Sequence, residues 1–304
     1  MKQRVLILGY GEMGHAMEHL LSARHDVRIW NMGAVVKGSH STLEDEVAEA
    51  QVILFCLPVN PHHEIASRIA PHLAKDSLCL TIAKGLDESG QTAARIFGDV
   101  FGDRHHYGVV YGPMISEEIR SGRHAFADVV LSGTADFETI QNLFLGSTLI
   151  CQQASDMHGR NWSVILKNAY AIMFGVSDEL RLGNNMRGHL MVTAIAELSG
   201  IVQSFGGQAH TPYSYAGLGD LLATATSEDS HHHALGRQLV RGEWSNISGE
   251  GVHTLRMVEK YHLFEWRAYP LFSLAHDIVT APETLRERVE DYLKMLRETV
   301  SCAI

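Results

Sequence analysis

Val5-Leu6-Ile7-Leu8-Gly9-Tyr10-Gly11-Glu12-Met13-Gly14 runs four aliphatic residues straight into G-x-G-x-x-G. The unbroken apolar run predicts a strand buried on both faces, as in a parallel sheet. Gly9 permits a tight turn, Gly11 lets the backbone approach a pyrophosphate, and Gly14 allows the next helix to pack closely on the strand. Met17, Leu20 and Leu21 then follow helical spacing, so the first N–H groups of that helix, with Glu12 and Met13, would face the phosphates. A glycine turn before an ordinary helix is the plainer alternative. The stretch predicts both a fold and a dinucleotide ligand.

Outward from it, short apolar runs alternate with helical segments. Strands are predicted at Arg4–Leu8, Val27–Trp30, Val52–Leu57, Leu78–Ile82, Tyr107–Val110, Ala127–Leu131 and Leu149–Cys151. From about Asp156 the rhythm changes. Trp162, Ile165, Leu166, Ala169 and Met173 keep helical spacing, and no alternating pattern returns. The reading is an α/β protein: a Rossmann-type, doubly wound, mostly parallel sheet over residues 1–154, then an all-helical substrate domain over residues 155–304.

At 304 residues, with 45% apolar and 20% charged residues, the composition is that of a globular protein. No apolar stretch is long enough to span a bilayer, so membrane insertion is not expected. Met1-Lys2-Gln3-Arg4 enters a strand at once, leaving no room for a signal peptide. Cys56, Cys79, Cys151 and Cys302 are dispersed, which predicts reduced structural thiols in a cytoplasmic protein and no zinc site. A net charge of −10 argues against nucleic acid as partner and leaves a small molecule. His231-His232-His233 is the one histidine cluster. Three adjacent helical positions cannot all face one metal, so no metal is assigned.

Several residues suit chemistry at strand ends. NAD-binding units often place an acid on the ribose about 20 residues past the glycines. Here that place holds Trp30-Asn31-Met32. Asn31 suits a 2′-hydroxyl, while Arg28 or Lys37 would suit a 2′-phosphate, so NAD and NADP both remain open. Pro58 ends one strand where the nucleotide should pass. Lys84 ends another, in reach of an anion, unless it is merely solvated. Gly112-Pro113 precedes a helix expected from near Met114. Lys167 is the only charged residue between Arg160 and Asp178, in an apolar helix. If buried, its pKa falls toward the range useful in acid–base catalysis, though a lysine can also snorkel to water. Asn168 offers an amide beside it. Asp220 follows Gly217-Leu218-Gly219 and would either cap a helix or face Lys167, and Glu250-Gly251-Val252 reads as a further helix start.

With these residues assembled, the chain resembles the NAD(P)-dependent glycerol-3-phosphate dehydrogenase family of the soluble bacterial type, over nearly its full length. The likeness rests on Gly9–Gly14, Leu57-Pro58, Ala83-Lys84-Gly85-Leu86, Gly112-Pro113, Leu166-Lys167-Asn168, Gly217-Leu218-Gly219-Asp220 and Glu250-Gly251-Val252, in that order. It implies that Lys167 protonates a carbonyl oxygen, with Asp220 beside it and Lys84 touching both substrate and cofactor. By the same resemblance Asn168 and Thr224 line the substrate pocket, which Gly112 at its strand end would also face, Ser116 and Glu250 meet the cofactor, and a homodimer is expected. Two departures bear on the substrate. Met114 stands where the family has serine, and Ser230-His231-His232-His233 stands where it has Ser-Arg-Asn-Arg around the substrate phosphate. If His231 or His232 binds phosphate as imidazolium, KM for a phosphorylated substrate rises between about pH 6 and 8. Three readings stay open here. They are reduction of dihydroxyacetone phosphate, the same hydride chemistry on a small oxo or hydroxy compound lacking phosphate, and nucleotide binding without catalysis.

Overall fold

The computed structural model describes residues 2–38, 42–133, 135, 137–227 and 230–301, with side chains through residue 298. Cys302 lies outside these residues. The strands are β1 (Arg4–Leu8), β2 (Asp26–Asn31), β3 (Ala34–Lys37), β4 (Val52–Phe55), β5 (Leu78–Thr81), β6 (His106–Tyr111), β7 (Ala125–Leu131) and β8 (Leu149–Gln153). They form one sheet in the order β3-β2-β1-β4-β5-β6-β7-β8. All neighbours are parallel except β2–β3 and β6–β7. The helices of this half are α1 (Glu12–Leu21), α2 (Leu43–Glu49), α3 (His62–Ile69), α4 (Ala93–Phe101), α5 (Ser116–Arg120) and α6 (Phe137–Phe144). The chain leaves β1 in one direction and returns to β4 on its other side. The carboxyl ends of β1 and β4 therefore flank the switch point where open α/β sheets bind ligands.

All seven expected strands are present, and β3 is an eighth that the pattern did not predict. Met32 and Gly33 both have positive φ, +50° and +82°. This places two left-handed residues in a two-residue hairpin turn, as in the type I′ geometry. Methionine is an unusual occupant of that position, and Ala34–Lys37 shows no buried alternation, so the hairpin has no sequence signature. Lys37, expected in a loop, is the last residue of β3. Helix α5 begins at Ser116, two residues beyond the expected start near Met114.

The second half is helical: α7 (Met157–Glu179), α8 (Asn184–Ser204), α9 (Asp220–Thr226), α10 (His231–Arg241), α11 (Glu250–Tyr261), α12 (Pro270–Thr280) and α13 (Leu285–Ser301). Asp156 starts α7 as its N-cap, with its carboxylate accepting the N–H of Gly159 and of Gln208, each at 2.8 Å. From Asn161 to Ser177 every residue of α7 is buried, so this helix is the axis of the helical half. Gly175 and Gly236 let α7 and α10 cross closely. A Cβ on Gly236 would lie 2.1 Å from the Ile172 carbonyl oxygen. Val109, Tyr111 and Val130 of β6 and β7 belong to the same apolar core as α7. The Tyr111 hydroxyl also donates to Asn161 Oδ1 at 2.9 Å. The helical half is thus seated on the β6–β7 side of the sheet, and its buried lysine faces the strand ends. Among the described residues no helix is long and apolar enough to cross a membrane.

Candidate active site

The three glycines do different work. Gly9 has φ of +96°, and a Cβ there would meet the Cys56 carbonyl oxygen at 2.6 Å. A Cβ on Gly14 would meet the Gly9 carbonyl oxygen at 2.3 Å, so this glycine sets how closely α1 sits on the turn. Around Gly11 nothing lies within 4 Å of the corresponding position. It is the N-cap of α1 and gives that helix no side-chain cap. Uncapped N–H groups beside open space fit a dinucleotide pyrophosphate. A cleft of about 340 Å³ continues from here past Met13, Pro58, Ala83, Lys84, Met114 and Glu250.

At the far end of β2, Asn31 Oδ1 accepts the Tyr10 N–H at 3.3 Å, which ties the glycine turn to the hairpin. Neither basic residue considered for a 2′-phosphate is unpaired. Arg28 donates to Asp26 at 2.9 Å, and Lys37 donates to Glu18 at 2.7 Å. Ser116 is buried at the start of α5, and its hydroxyl donates to Glu12 at 3.3 Å. Arg120 reaches the same carboxylate at 3.0 Å.

Lys167, Lys84 and the pair Asp220 and Thr224 of α9 come together, although they arise from three separate stretches of chain. The Lys167 ammonium lies 3.2 Å from Asp220 Oδ2 and donates to Thr224 Oγ1 at 2.5 Å. Lys84 donates to the same Asp220 oxygen at 2.7 Å and to the Gly112 carbonyl at 3.0 Å. Asp220 is the first residue of α9, but its carboxylate makes this bridge in place of capping the helix. Thr224 is fixed in turn, donating to the Asp220 carbonyl at 2.6 Å. Burial brings the Lys167 pKa down to about 8 against the opposing pull of Asp220, and the nearby charge of Lys84 adds to the fall. A buried amine titrating near neutrality, held by a carboxylate, is equipped to give and take a proton. Beside it, Asn168 Nδ2 donates to Glu250 Oε2 at 3.2 Å, joining α7 to the first turn of α11.

The histidine cluster splits. Ser230 is the N-cap of α10, accepting the His233 N–H at 3.3 Å. His231 is exposed. His233 turns away from the cleft to Asp178, 2.7 Å from its carboxylate. His232 faces the site, and its Nε2 accepts the Gly251 N–H at 3.1 Å. A protonated ring cannot accept that bond. Burial, with the charge of Lys167 next in weight, holds the His232 pKa down at about 3. Of the two histidines considered as an imidazolium, His232 is instead a neutral ring whose Nδ1–H is the donor. His232→Asn, which keeps a neutral donor, is expected to leave the pH dependence of KM from pH 6.5 to 8 parallel to that of the unsubstituted protein. Loss of a pH-dependent step in the variant would contradict the assignment.

Two residues of the region gave no signal in the sequence. His62 is fully buried, accepts from the Thr81 hydroxyl at 2.9 Å and donates Nδ1–H to the Pro58 carbonyl at 2.9 Å. Thr81 in turn accepts the Ala83 N–H at 3.1 Å. This chain of bonds joins the two loops that bear Pro58 and Lys84, and burial pushes the His62 pKa down to about 4. Asp128 of β7, wholly buried, is the other. Both sit inside the sheet half, where a lone polar residue carries no spacing pattern.

A glycine-turn sheet facing an all-helical half, with a buried lysine–carboxylate pair at the cleft, defines the class: a nicotinamide-dinucleotide dehydrogenase of the Rossmann type. Comparison with known proteins gives the family. Residues 38–136 match the description "NAD-dependent glycerol-3-phosphate dehydrogenase N-terminus" and residues 156–290 match "NAD-dependent glycerol-3-phosphate dehydrogenase C-terminus". The glycerol-3-phosphate dehydrogenase [NAD(P)+] of Synechocystis sp. is 30% identical, over 96% of this chain and 94% of its own. That of Thermosynechococcus vestitus is 32% identical, over 86% of each. The crystal structure of glycerol-3-phosphate dehydrogenase from Coxiella burnetii superposes with a TM-score of 0.81 at 22% identity, over 96% of this chain and 99% of its own. The chain belongs to the NAD(P)-dependent glycerol-3-phosphate dehydrogenase family.

Proposed function

We propose that this protein interconverts dihydroxyacetone phosphate and glycerol 3-phosphate with NAD(H) or NADP(H), using Lys167 as the general acid and base. The observation that carries this reading is the Lys167 ammonium, buried at the cleft and held by Asp220 and Thr224. The bound nicotinamide supplies a hydride to the substrate carbon and takes it back in the reverse direction. The rest falls to the chain. Gly9, Gly11 and Gly14, with Glu12 and Met13, form the turn that holds the pyrophosphate, and Asn31 lies toward the adenosine ribose. Pro58, Ser116 and Glu250 border the path to the nicotinamide.

In the reducing direction Lys167 donates its proton to the carbonyl oxygen at C2 and returns neutral. In the oxidising direction the neutral amine removes the hydroxyl proton. Asp220 favours the charged form of the lysine and holds it in place, while Lys84 and Asn168 orient the substrate oxygen atoms. At the far end the phosphate meets Ser230, His231 and the neutral donor of His232. These groups give hydrogen bonds without the fixed charge of a guanidinium. Kinship with the family adds a homodimer and a cytosolic setting. The unpaired Cys56 and Cys151, whose thiols burial pushes up to about 12, suit a reducing compartment. Sedimentation velocity tests the dimer.

The direct test is a panel of carbonyl substrates with NADH and NADPH in parallel. Turnover of dihydroxyacetone phosphate is expected with at least one nucleotide. Turnover of only an unphosphorylated oxo compound, or nucleotide binding without any turnover, would overturn the proposal.

A further inference from the structure

Asp128 stands in β7 with its carboxylate wholly buried and away from the cleft. Its Oδ1 accepts from Gln152 Nε2 of β8 at 2.6 Å. Its Oδ2 accepts the Ala216 N–H at 3.1 Å and faces Arg160 Nε at 3.3 Å. These partners are placed in relation to the reacting pair. Arg160 and Lys167 are on one helix, two turns apart. Ala216 belongs to the turn Tyr215–Gly219, which leads directly into Asp220. That turn has little freedom of its own. A Cβ on Gly217 would lie 2.1 Å from the Pro212 carbonyl oxygen, and the Tyr215 ring packs 5.6 Å from Phe126, also of β7.

We propose that Asp128 is a positioning residue for the reaction: one buried carboxylate of the sheet fastens both the helix bearing Lys167 and the turn bearing Asp220, and so sets their contact. Two hydrogen-bond donors and one ion-pair partner, from three elements, converge on it, and only a carboxylate offers a charge and acceptors on both oxygens. An asparagine in its place turns an NH₂ toward one of those groups and takes from the part-buried Arg160 one of its two nearby carboxylates, leaving it Asp156 and the Ser155 carbonyl. The consequence at the cleft follows from the geometry. With the turn released, Asp220 moves off Lys167 while Lys84, Thr224, Glu250 and His232 still face that ammonium. The kinetic part of the inference rests on the function proposed above, and the structural part does not.

The test compares Asp128→Asn with the double variant Asp128→Asn/Arg160→Met, which also removes the charge that has lost its Asp128 partner. The double variant is expected to recover the melting temperature lost in the single one. Its kcat for dihydroxyacetone phosphate reduction stays at least about tenfold down, with KM for the nucleotide unchanged within about twofold. The Lys167 limb of its kcat–pH profile moves to lower pH, because the carboxylate that favours the charged lysine is no longer in place. A crystal structure of the double variant is expected to show Asp220 withdrawn from Lys167. Recovery of kcat and of the profile together with the melting temperature would assign Asp128 a purely structural part and overturn the proposal. So would an unchanged Lys167–Asp220 contact in the crystal. Absence of turnover in the unsubstituted protein would sink the proposed function alone, and the crystal contact would still decide this inference.

Discussion

Lys167→Met is expected to lower kcat for dihydroxyacetone phosphate reduction by roughly 10²–10⁴-fold, the range over which a positioned proton donor contributes. The thioether chain fills nearly the same space and cannot carry a proton. The fold should tolerate the change. Lys167 is almost fully buried, and its replacement by an apolar chain removes a desolvated charge. Asp220 keeps a partner in Lys84, at 2.7 Å. Nucleotide affinity should also persist, because the glycine turn and its supports lie on the sheet half and do not involve α7. Three measurements decide the matter: steady-state turnover, thermal unfolding and a nucleotide titration. Loss of turnover with the other two unchanged supports the role. Turnover within tenfold of the unsubstituted protein would remove Lys167 from the chemistry.

Asp220→Asn has the second large effect, through a different cause. Lys84 and Lys167 share Asp220 Oδ2, so removing that charge leaves two ammonium groups close together in a largely buried place. The repulsion of Lys84 already acts on Lys167, and what the substitution removes is the opposing attraction of Asp220. The group already pulled down to about 8 by burial is the one that yields. Lys167 is therefore expected to lose its proton at lower pH than in the unsubstituted protein. Reduction, which needs the charged form, should fall by roughly 10- to 30-fold at pH 7.5, as a drop of about two units in the lysine pKa gives, and recover part of its rate on acidification. Oxidation, which needs the neutral form, should be less affected at the same pH. Equal losses in both directions at every pH would contradict the assignment and reduce Asp220 to a packing residue.

Seven of the eight strands, the mostly parallel character of the sheet and the glycine turn were legible because they rest on local patterns. Four aliphatic residues before Gly9, with Gly9 and Gly14 each held free of a side chain by a nearby backbone carbonyl and Gly11 left open, leave few alternatives. Lys167 was legible for a different reason, as one charge in seventeen residues of otherwise uncharged helix. What the sequence could not supply was partnership at a distance. Nothing near Asp220 in the chain distinguishes a helix cap from a bridge between lysines from Gly85's neighbour and from α7. His62 and Asp128 act through bonds to residues far along the chain, so no spacing announces them. The histidines show the same limit in reverse. Their place against the family's Ser-Arg-Asn-Arg segment left room for an imidazolium at the phosphate end, but the Gly251 N–H fixes His232 as a neutral acceptor, and His233 belongs to Asp178.

The central claim, that a buried Lys167 passes the proton, is tested most directly by the pH dependence of kcat/KM for dihydroxyacetone phosphate reduction from pH 6.5 to 9.5. This window lies above the second ionisation of a phosphate monoester, near pH 6. Reduction uses the protonated lysine. The profile is therefore expected to hold level at lower pH and to bend downward through about 8, approaching a tenfold loss per unit beyond. A profile that stays flat across the window, or that rises with pH, would contradict the account.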